Sequence, residues 1–232
     1  MVELVDYPLD WYVKRLGRPF TFARYGDGEW LSILGTTDGQ NCDKHPYSPA
    51  LTEALRQSLT IQDDNYIQAI GPVAFRDGRQ ESIAAYLRQN KLNLQRHNMD
   101  VFLQASLDGQ LFPLVDALRH SRFAYVGPAF LKDFVRDRLG VGEFIEVPQH
   151  NAFTAVDHLV HQIMGLIALD NPKVIGLSAG FATKVILSRL WPGHGRQATF
   201  LDFGSLWDGY VGRQSRSHVR RLTGEVIRQN LR

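Results

Sequence analysis

Apolar positions along this chain fall into two alternating kinds of run. Short apolar blocks, rich in β-branched and aromatic residues, predict buried strands at 20–23, 66–70, 123–126, 143–147, 174–177 and 198–202. Between them, apolar residues recur three and four positions apart, the period of a helix with one buried face. This spacing predicts helices over 1–18, 30–34, 79–89, 130–139, 152–169 and 181–190. Another helix begins at Ser48-Pro49, with Leu51, Leu55 and Leu59 as its stripe. Residues 36–49 are polar and read as a loop, and the tail from about Ser215 reads as helical.

Strands alternating with helices predict an α/β fold: a mostly parallel, Rossmann-like sheet with helices on both faces. The 232 residues suit a single domain, with a basic C-terminal segment from about residue 213. In parallel sheets, ligands bind beyond the carboxyl ends of the strands. The unusual segments all fall at such ends: Gly26–Glu29, Gly71-Pro72, Gly127-Pro128, Pro148–Asn151, Ser178–Gly180 and Asp202–Asp208. They predict one shared site.

Composition narrows the function classes. A single cysteine, Cys42, near His45, excludes an internal disulfide and a multi-cysteine metal site. No apolar run approaches membrane-spanning length and the N-terminus carries Glu3 and Asp6, so the expected location is cytoplasmic, or host cytoplasm if the source is viral. A homo-oligomer is compatible with all of this. Net charge is only +2, but Arg213, Arg216, His218, Arg220, Arg221, Arg228 and Arg232 face a lone Glu225. Such a cluster is either a solvated helix face or a surface for a polyanion.

The densest candidate chemistry is Phe22-Ala23-Arg24-Tyr25-Gly26-Asp27-Gly28-Glu29-Trp30. Asp27 and Glu29, on a loop after a strand, offer oxygen ligands to a divalent ion whose remaining ligands are phosphates. Gly26 and Gly28 let the backbone turn and a substrate approach, and Arg24 adds a cation for a phosphate or a carboxylate. Gly-Asp-Gly is equally ordinary turn chemistry. Ser178-Ala179-Gly180 leads from a strand into a helix whose N-terminus suits a phosphate, with Lys184 in the first turns. A tight turn that needs small residues would read the same way.

Two further segments carry candidates. His150 and Asn151 precede a helix; Asn151 is a natural N-cap, and His150 is a candidate acid or base, hydrogen-bond donor to a phosphate or metal ligand, or else a polar surface residue. In Asp202-Phe203-Gly204-Ser205-Leu206-Trp207-Asp208-Gly209-Tyr210, Asp202 or Asp208 would complete a metal shell or act as general base. Trp207 and Tyr210 would stack on a sugar or a nucleobase.

The Arg24–Glu29 segment resembles the signature of the GT-D-type glycosyltransferases. Gly127-Pro128, Val147-Pro148 with Asn151-Ala152-Phe153, and Asp202-Phe203-Gly204-Ser205 resemble that family in the same order, from residue 20 to about 218. The stretch Asp208–Arg216 departs from its glycan-assembly members. The resemblance implies a Rossmann-like single domain and a nucleotide-sugar donor, with a UDP-sugar the first expectation. It also implies a Mn²⁺ or Mg²⁺ ion served by Asp27 and Glu29. Arg24, Gly26, Asn151, Ser178, Ala179, Gly180 and Lys184 are then the expected donor-binding residues, and Asp208, Asp202 or His150 the base. The acceptor is either a saccharide or glycolipid, or a hydroxymethylated base in DNA flipped out of its stack. Trp207, Tyr210, Arg213, Arg216, Arg220 and Arg221 are the expected acceptor contacts. Other classes remain open: a non-enzymatic nucleotide or nucleic-acid binding module, and a phosphosugar-binding protein.

Overall fold

The computed structural model describes residues 4–37, 39–40, 46–94 and 96–232, without the side chain of His218; Cys42 and His45 lie outside the described residues. One six-stranded sheet runs in the order β2-β1-β6-β5-β3-β4, with every pairing parallel. The strands are β1 (Thr21–Tyr25), β2 (Tyr66–Ile70), β3 (Phe123–Gly127), β4 (Glu143–Glu146), β5 (Val174–Leu177) and β6 (Thr199–Asp202). All six lie within a residue or two of the apolar blocks in the sequence. The five strands other than β4 are buried almost throughout, as helix-covered parallel strands must be. β4 is an edge strand, and its exposed Glu143 and Glu146 discourage pairing with another chain.

The helices are α1 (Leu9–Arg15), α2 (Asp27–Leu34), α3 (Pro49–Ser58), α4 (Arg79–Gln89), α5 (Val101–Leu107), α6 (Phe112–Arg119), α7 (Lys132–Leu139), α8 (Val156–Asp170), α9 (Ala182–His194) and α10 (Gly224–Leu231). Alternating strand residues feed two cores. Ala23, Tyr25, Val126 and Leu177 meet Trp30, Leu51, Leu159 and Ile186 from α2, α3, α8 and α9. Phe22, Ile67, Tyr125 and Leu201 meet Tyr12, Phe102, Leu114, Val135 and Leu231 from α1, α5, α6, α7 and α10.

Several boundaries differ from the sequence reading. The first helix is confined to α1, because Pro8 is its N-cap and fixes an extended backbone there. The tail is a 3₁₀ turn, Ser217–Arg221, followed by α10, which Thr223 caps through Val226 N–H. α5 and α6 had no counterpart in that reading. The expectation about apolar runs is corrected too: Ala152–Asp170 is 19 residues long with mean hydropathy 1.4, enough to span a membrane by length and composition. Here Val156, Leu159, Ile163, Leu166 and Ile167 of that segment are buried, and its core-facing side chains pack on the sheet.

Candidate active site

Because every strand is parallel, all the strand C-termini open on one edge, and a crevice runs along it. One lobe, about 360 Å³, lies over β1 and is lined by Asp27, Glu29, Tyr47, Met99 and Gly180 among others. A central lobe of similar size lies over β5 and β6, lined by His150, Ser178, Asp208, Arg213 and Arg216 among others. The two share Gly180, Gly204, Ser205 and Arg216. A side lobe of about 530 Å³ continues from the central one past Phe130, Gln149 and Arg213 to His158 and Gln162 of α8.

Asp27 and Glu29 stand in the first turn of α2, not on a loop. Gly26 is the N-cap, and its N–H donates to Glu29 Oε2 at 3.0 Å. Negative side chains are stabilising there, since they offset the free N–H groups and dipole of a helix start. Asp27 is exposed, with Oδ1 accepting from Gly28 N–H. Glu29 points inward and is 8% exposed. Arg24 clamps neither carboxylate. Its guanidinium donates to the carbonyls of Phe203 (2.9 Å) and Met99 (3.2 Å) and lies 3.9 Å from Asp100, strapping two loops together at the lining of the β1 lobe.

Lys184 and Asp202 form a buried ionic triad with Glu29. Lys184 Nζ donates to Glu29 Oε1 at 2.7 Å, to Asp202 Oδ2 at 3.1 Å and to Gly180 O at 3.3 Å. Burial alone would lower the Lys184 pKa; Asp202 and Glu29 outweigh it and hold the ammonium above its ordinary value. Lys184 has no N–H left for a donor phosphate, which corrects its expected role. Asp202, 1% exposed, also accepts from Arg24 N–H (3.1 Å) and Gly204 N–H (3.0 Å). It lies below the crevice floor, out of reach of an acceptor hydroxyl, so the expectation that it acts as base is corrected as well.

Ser178 is similarly occupied. Its hydroxyl donates to Gly204 O at 2.6 Å and accepts from Tyr125 Oη at 2.6 Å, so its proton is not directed at a ligand. Burial pushes the Tyr125 hydroxyl well above its ordinary pKa despite that bond, which keeps it a donor. Ala179 N–H donates to Thr183 Oγ1. Gly180 has φ +57° and lines both main lobes at the start of α9, where a helix N-terminus faces the crevice. Asn151 caps nothing with its side chain; it takes a left-handed backbone (φ +48°), and its carbonyl accepts from Thr154.

The expected acceptor aromatics are corrected most clearly. Trp207 is 0% exposed and packs against Phe134, Phe203 and Tyr210. Tyr210 Oη bonds Ser106 Oγ (2.7 Å) and Asn230 Nδ2 (2.8 Å). Both rings fix the loop from beneath. The aromatic side chain that lines the central lobe is Phe130, with the Arg213 guanidinium 4.0 Å from its ring centroid. Asp208 and exposed His150 line the same lobe. Arg220 and Arg221 are exposed on the 3₁₀ turn Ser217–Arg221. Sequence reasoning missed Phe130, Tyr125, Tyr47 and Met99; Phe130 had a signal, since it lies two residues after the strand-end Gly127-Pro128.

Among the described residues no group of three or more His, Cys, Asp or Glu converges to hold a metal. Asp27 and Glu29 line the β1 lobe together. A carboxylate has about four lone-pair positions, and each of these two retains some beyond its protein partners. Two oxygen donors on one wall fit a hard divalent ion that takes its other ligands from phosphates.

No family model matches the sequence, and no curated protein matches it. Solved structures do match. One, described as a new glycosyltransferase (DUF1792) from Streptococcus sanguinis, superposes with TM-score 0.65 at 17% identity, over 90% of this chain and 84% of that one. A selenomethionine-substituted structure of domain of unknown function 1792 gives 0.62 at 17% identity, over 90% and 80%. A third, whose domain 1792 is described as having a distinct glycosyltransferase fold, gives 0.60 at 18% identity, over 90% and 82%. The chain therefore has the fold of the domain 1792 structures, in agreement with the GT-D-type resemblance of its Arg24–Glu29 segment.

Proposed function

We propose that this protein is a metal-dependent glycosyltransferase that moves a sugar from a nucleotide-sugar donor, a UDP-sugar in the first instance, to an acceptor hydroxyl. The observation that carries the reading is the β1 lobe. It brings Asp27, Glu29 and the α9 N-terminus at Gly180 to one wall of a strand-end crevice, on a fold shared with described glycosyltransferases. The donor diphosphate would bind in this lobe, where Asp27, Glu29 and Gly180 all line the surface. Asp27 and the remaining lone pairs of Glu29 would hold a Mn²⁺ or Mg²⁺ ion together with the phosphates. When bound, the ion supplies countercharge to the nucleoside diphosphate leaving group.

The rest of the chemistry belongs to the central lobe. The acceptor oxygen attacks the anomeric carbon as its bond to the phosphate oxygen breaks. Asp208, lining that lobe, takes the hydroxyl proton in an inverting transfer, and His150 is the nearby alternative. Arg213 and Arg216 orient the acceptor. We favour a saccharide, because the side lobe offers an arginine-backed aromatic ring with Gln149, His158 and Gln162, a polar and planar set suited to a sugar. The DNA reading keeps the exposed Arg220 and Arg221, but of the rings expected to receive a flipped base Trp207 is buried, and the half-buried Tyr210 is tied by its hydroxyl to Ser106 and Asn230.

The test is a panel of nucleotide sugars with Mn²⁺, scored for nucleoside diphosphate release alone, with saccharides and with hydroxymethylated DNA. Donor-specific release stimulated by a saccharide is expected. Binding of nucleotide sugars with no release under any condition would leave a nucleotide-binding module and end the enzyme reading.

A further inference from the structure

The Lys184 ammonium occupies an unusual position for a cleft lysine. Its three N–H donors go to Glu29 Oε1, Asp202 Oδ2 and Gly180 O, and the residue is 4% exposed. It thereby joins α2, β6 and the turn before α9 through one atom. The two carboxylate oxygens flank a single atom position, filled by a nitrogen that carries one positive charge. Oxygen ligands on either side of one buried cationic position resemble the inner part of a hard-cation site.

We infer that Lys184 is a built-in cation, which fills the place a divalent ion would otherwise take between Glu29 and Asp202. Any ion in the crevice is therefore left to Asp27, the lone pairs that Glu29 retains beyond Lys184 and Gly26 N–H, and the phosphates of the donor. This rests on the metal-dependent donor site proposed above and adds a consequence to it. The free protein has too few ligands to retain the ion, so ion and nucleoside diphosphate bind as a pair. Lys184 is in this sense a positioning residue: it also holds the Gly180 carbonyl, so that the phosphate-facing turn and the inner side of Glu29 are set by the same ammonium.

The experiment needs no turnover. Mn²⁺ binding to the full chain is read by loss of the free-ion electron paramagnetic resonance signal, with and without UDP. The wild type should bind Mn²⁺ weakly alone and tightly with UDP. Lys184→Met, which restores an acidic pair without its counter-ion, should bind Mn²⁺ without UDP at least about tenfold more tightly than the wild type, since site charge tunes such affinities. Mn²⁺ should raise its melting temperature, because a ligand of the native state stabilises it. Adding Asp202→Asn to Lys184→Met should cancel the gain, which ties it to this position.

Wild-type protein that binds Mn²⁺ equally well without UDP would overturn the inference. So would a folded Lys184→Met with no gain. Should Lys184→Met fail to fold alone, Lys184→Gln is measured beside it, and folding of either only with Mn²⁺ supports the inference. If neither folds even with millimolar Mn²⁺, the ion does not replace the ammonium and the inference is wrong. Failure of the glycosyltransferase reading appears separately, as absent nucleoside diphosphate release by the wild type.

Discussion

Ser178 and Gly204 are joined across the crevice floor by a 2.6 Å hydrogen bond, from the serine hydroxyl to the glycine carbonyl. The bond ties the turn after β5 to the loop after β6, and Tyr125 Oη completes the chain from below. Ser178→Ala would leave the buried Tyr125 hydroxyl and the Gly204 carbonyl without this partner, at a cost of about 1–3 kcal/mol. We expect a lower urea midpoint and a KM effect larger than the kcat effect, since the lobes shared by Gly204 and Ser205 would loosen. Wild-type stability in the alanine variant would refute the bond's importance.

Asp27 and Glu29 should respond differently to substitution, although they are two residues apart. Asp27 is exposed, so Asp27→Asn should fold normally and lose donor turnover by about 100-fold or more, as expected when a ligand to an essential ion is lost. Glu29→Gln breaks one arm of the buried triad and should also cost about 3 kcal/mol of stability. Chemical denaturation beside nucleoside diphosphate release separates the two effects. Full activity of Asp27→Asn in excess chelator would end the metal proposal.

These contrasts mark how far the sequence could be read. The strands were legible because each is a short apolar block closed by Gly, Pro, Ser or Asp, and helix-covered parallel strands leave little room for polar residues. The shared site followed from where those strands end. What stayed hidden depends on side-chain direction. Asp27 and Glu29 look alike in sequence, but in a helix i and i+2 are about half a turn apart, which sends one to solvent and the other to Lys184. Trp207 and Asp208 are adjacent, and the 3₁₀ turn buries the ring under the loop while the carboxylate lines the lobe. α5 and α6, seven and eight residues long, are too short for a clear period.

Gly180 adopts φ +57°, so any side chain there is strained even though the space around a Cβ is open. A turn that served only to admit the donor would make Gly180→Val weaken donor binding far more than stability. The backbone changes that expectation: we predict a stability cost of about 1–2 kcal/mol in addition to weaker donor binding. Gly180→Ala should carry most of the stability cost with less obstruction. Denaturation curves equal to wild type for both variants would show that the turn adopts another conformation.

His97 makes stability depend on pH. It accepts or donates a 2.7 Å bond with Tyr12 Oη, and burial, with Arg15 nearby, lowers its pKa from 6.5 to about 4. Between those values the unfolded chain takes up a proton that the folded one resists. The stabilisation from neutral His97 is therefore complete above pH 6.5 and is lost as pH falls toward about 4. Urea midpoints should decline across this window in the wild type and less steeply in His97→Asn. Parallel declines would show that other groups dominate.

Four arginines of the C-terminal segment, Arg213, Arg216, Arg220 and Arg221, decide between acceptors, and the structure divides them. Arg213 and Arg216 line the crevice, while Arg220 and Arg221 point to solvent on the following turn. If the acceptor is a saccharide, Arg213→Ala should raise the acceptor KM, because it removes the guanidinium over Phe130. Arg220→Ala and Arg221→Ala should then leave turnover within about twofold, as exposed substitutions usually do. If DNA is the acceptor, all four would contact phosphates. Binding would fall steeply with salt, because each neutralised phosphate releases counterions, and removing the four together would flatten that dependence. We predict the first pattern: saccharide-dependent turnover sensitive to Arg213 alone among Arg213, Arg220 and Arg221, and no steep salt dependence with duplex DNA. A linear fall in log affinity with log salt, reduced in the fourfold variant and accompanied by glycosylated DNA, would reverse the choice of acceptor.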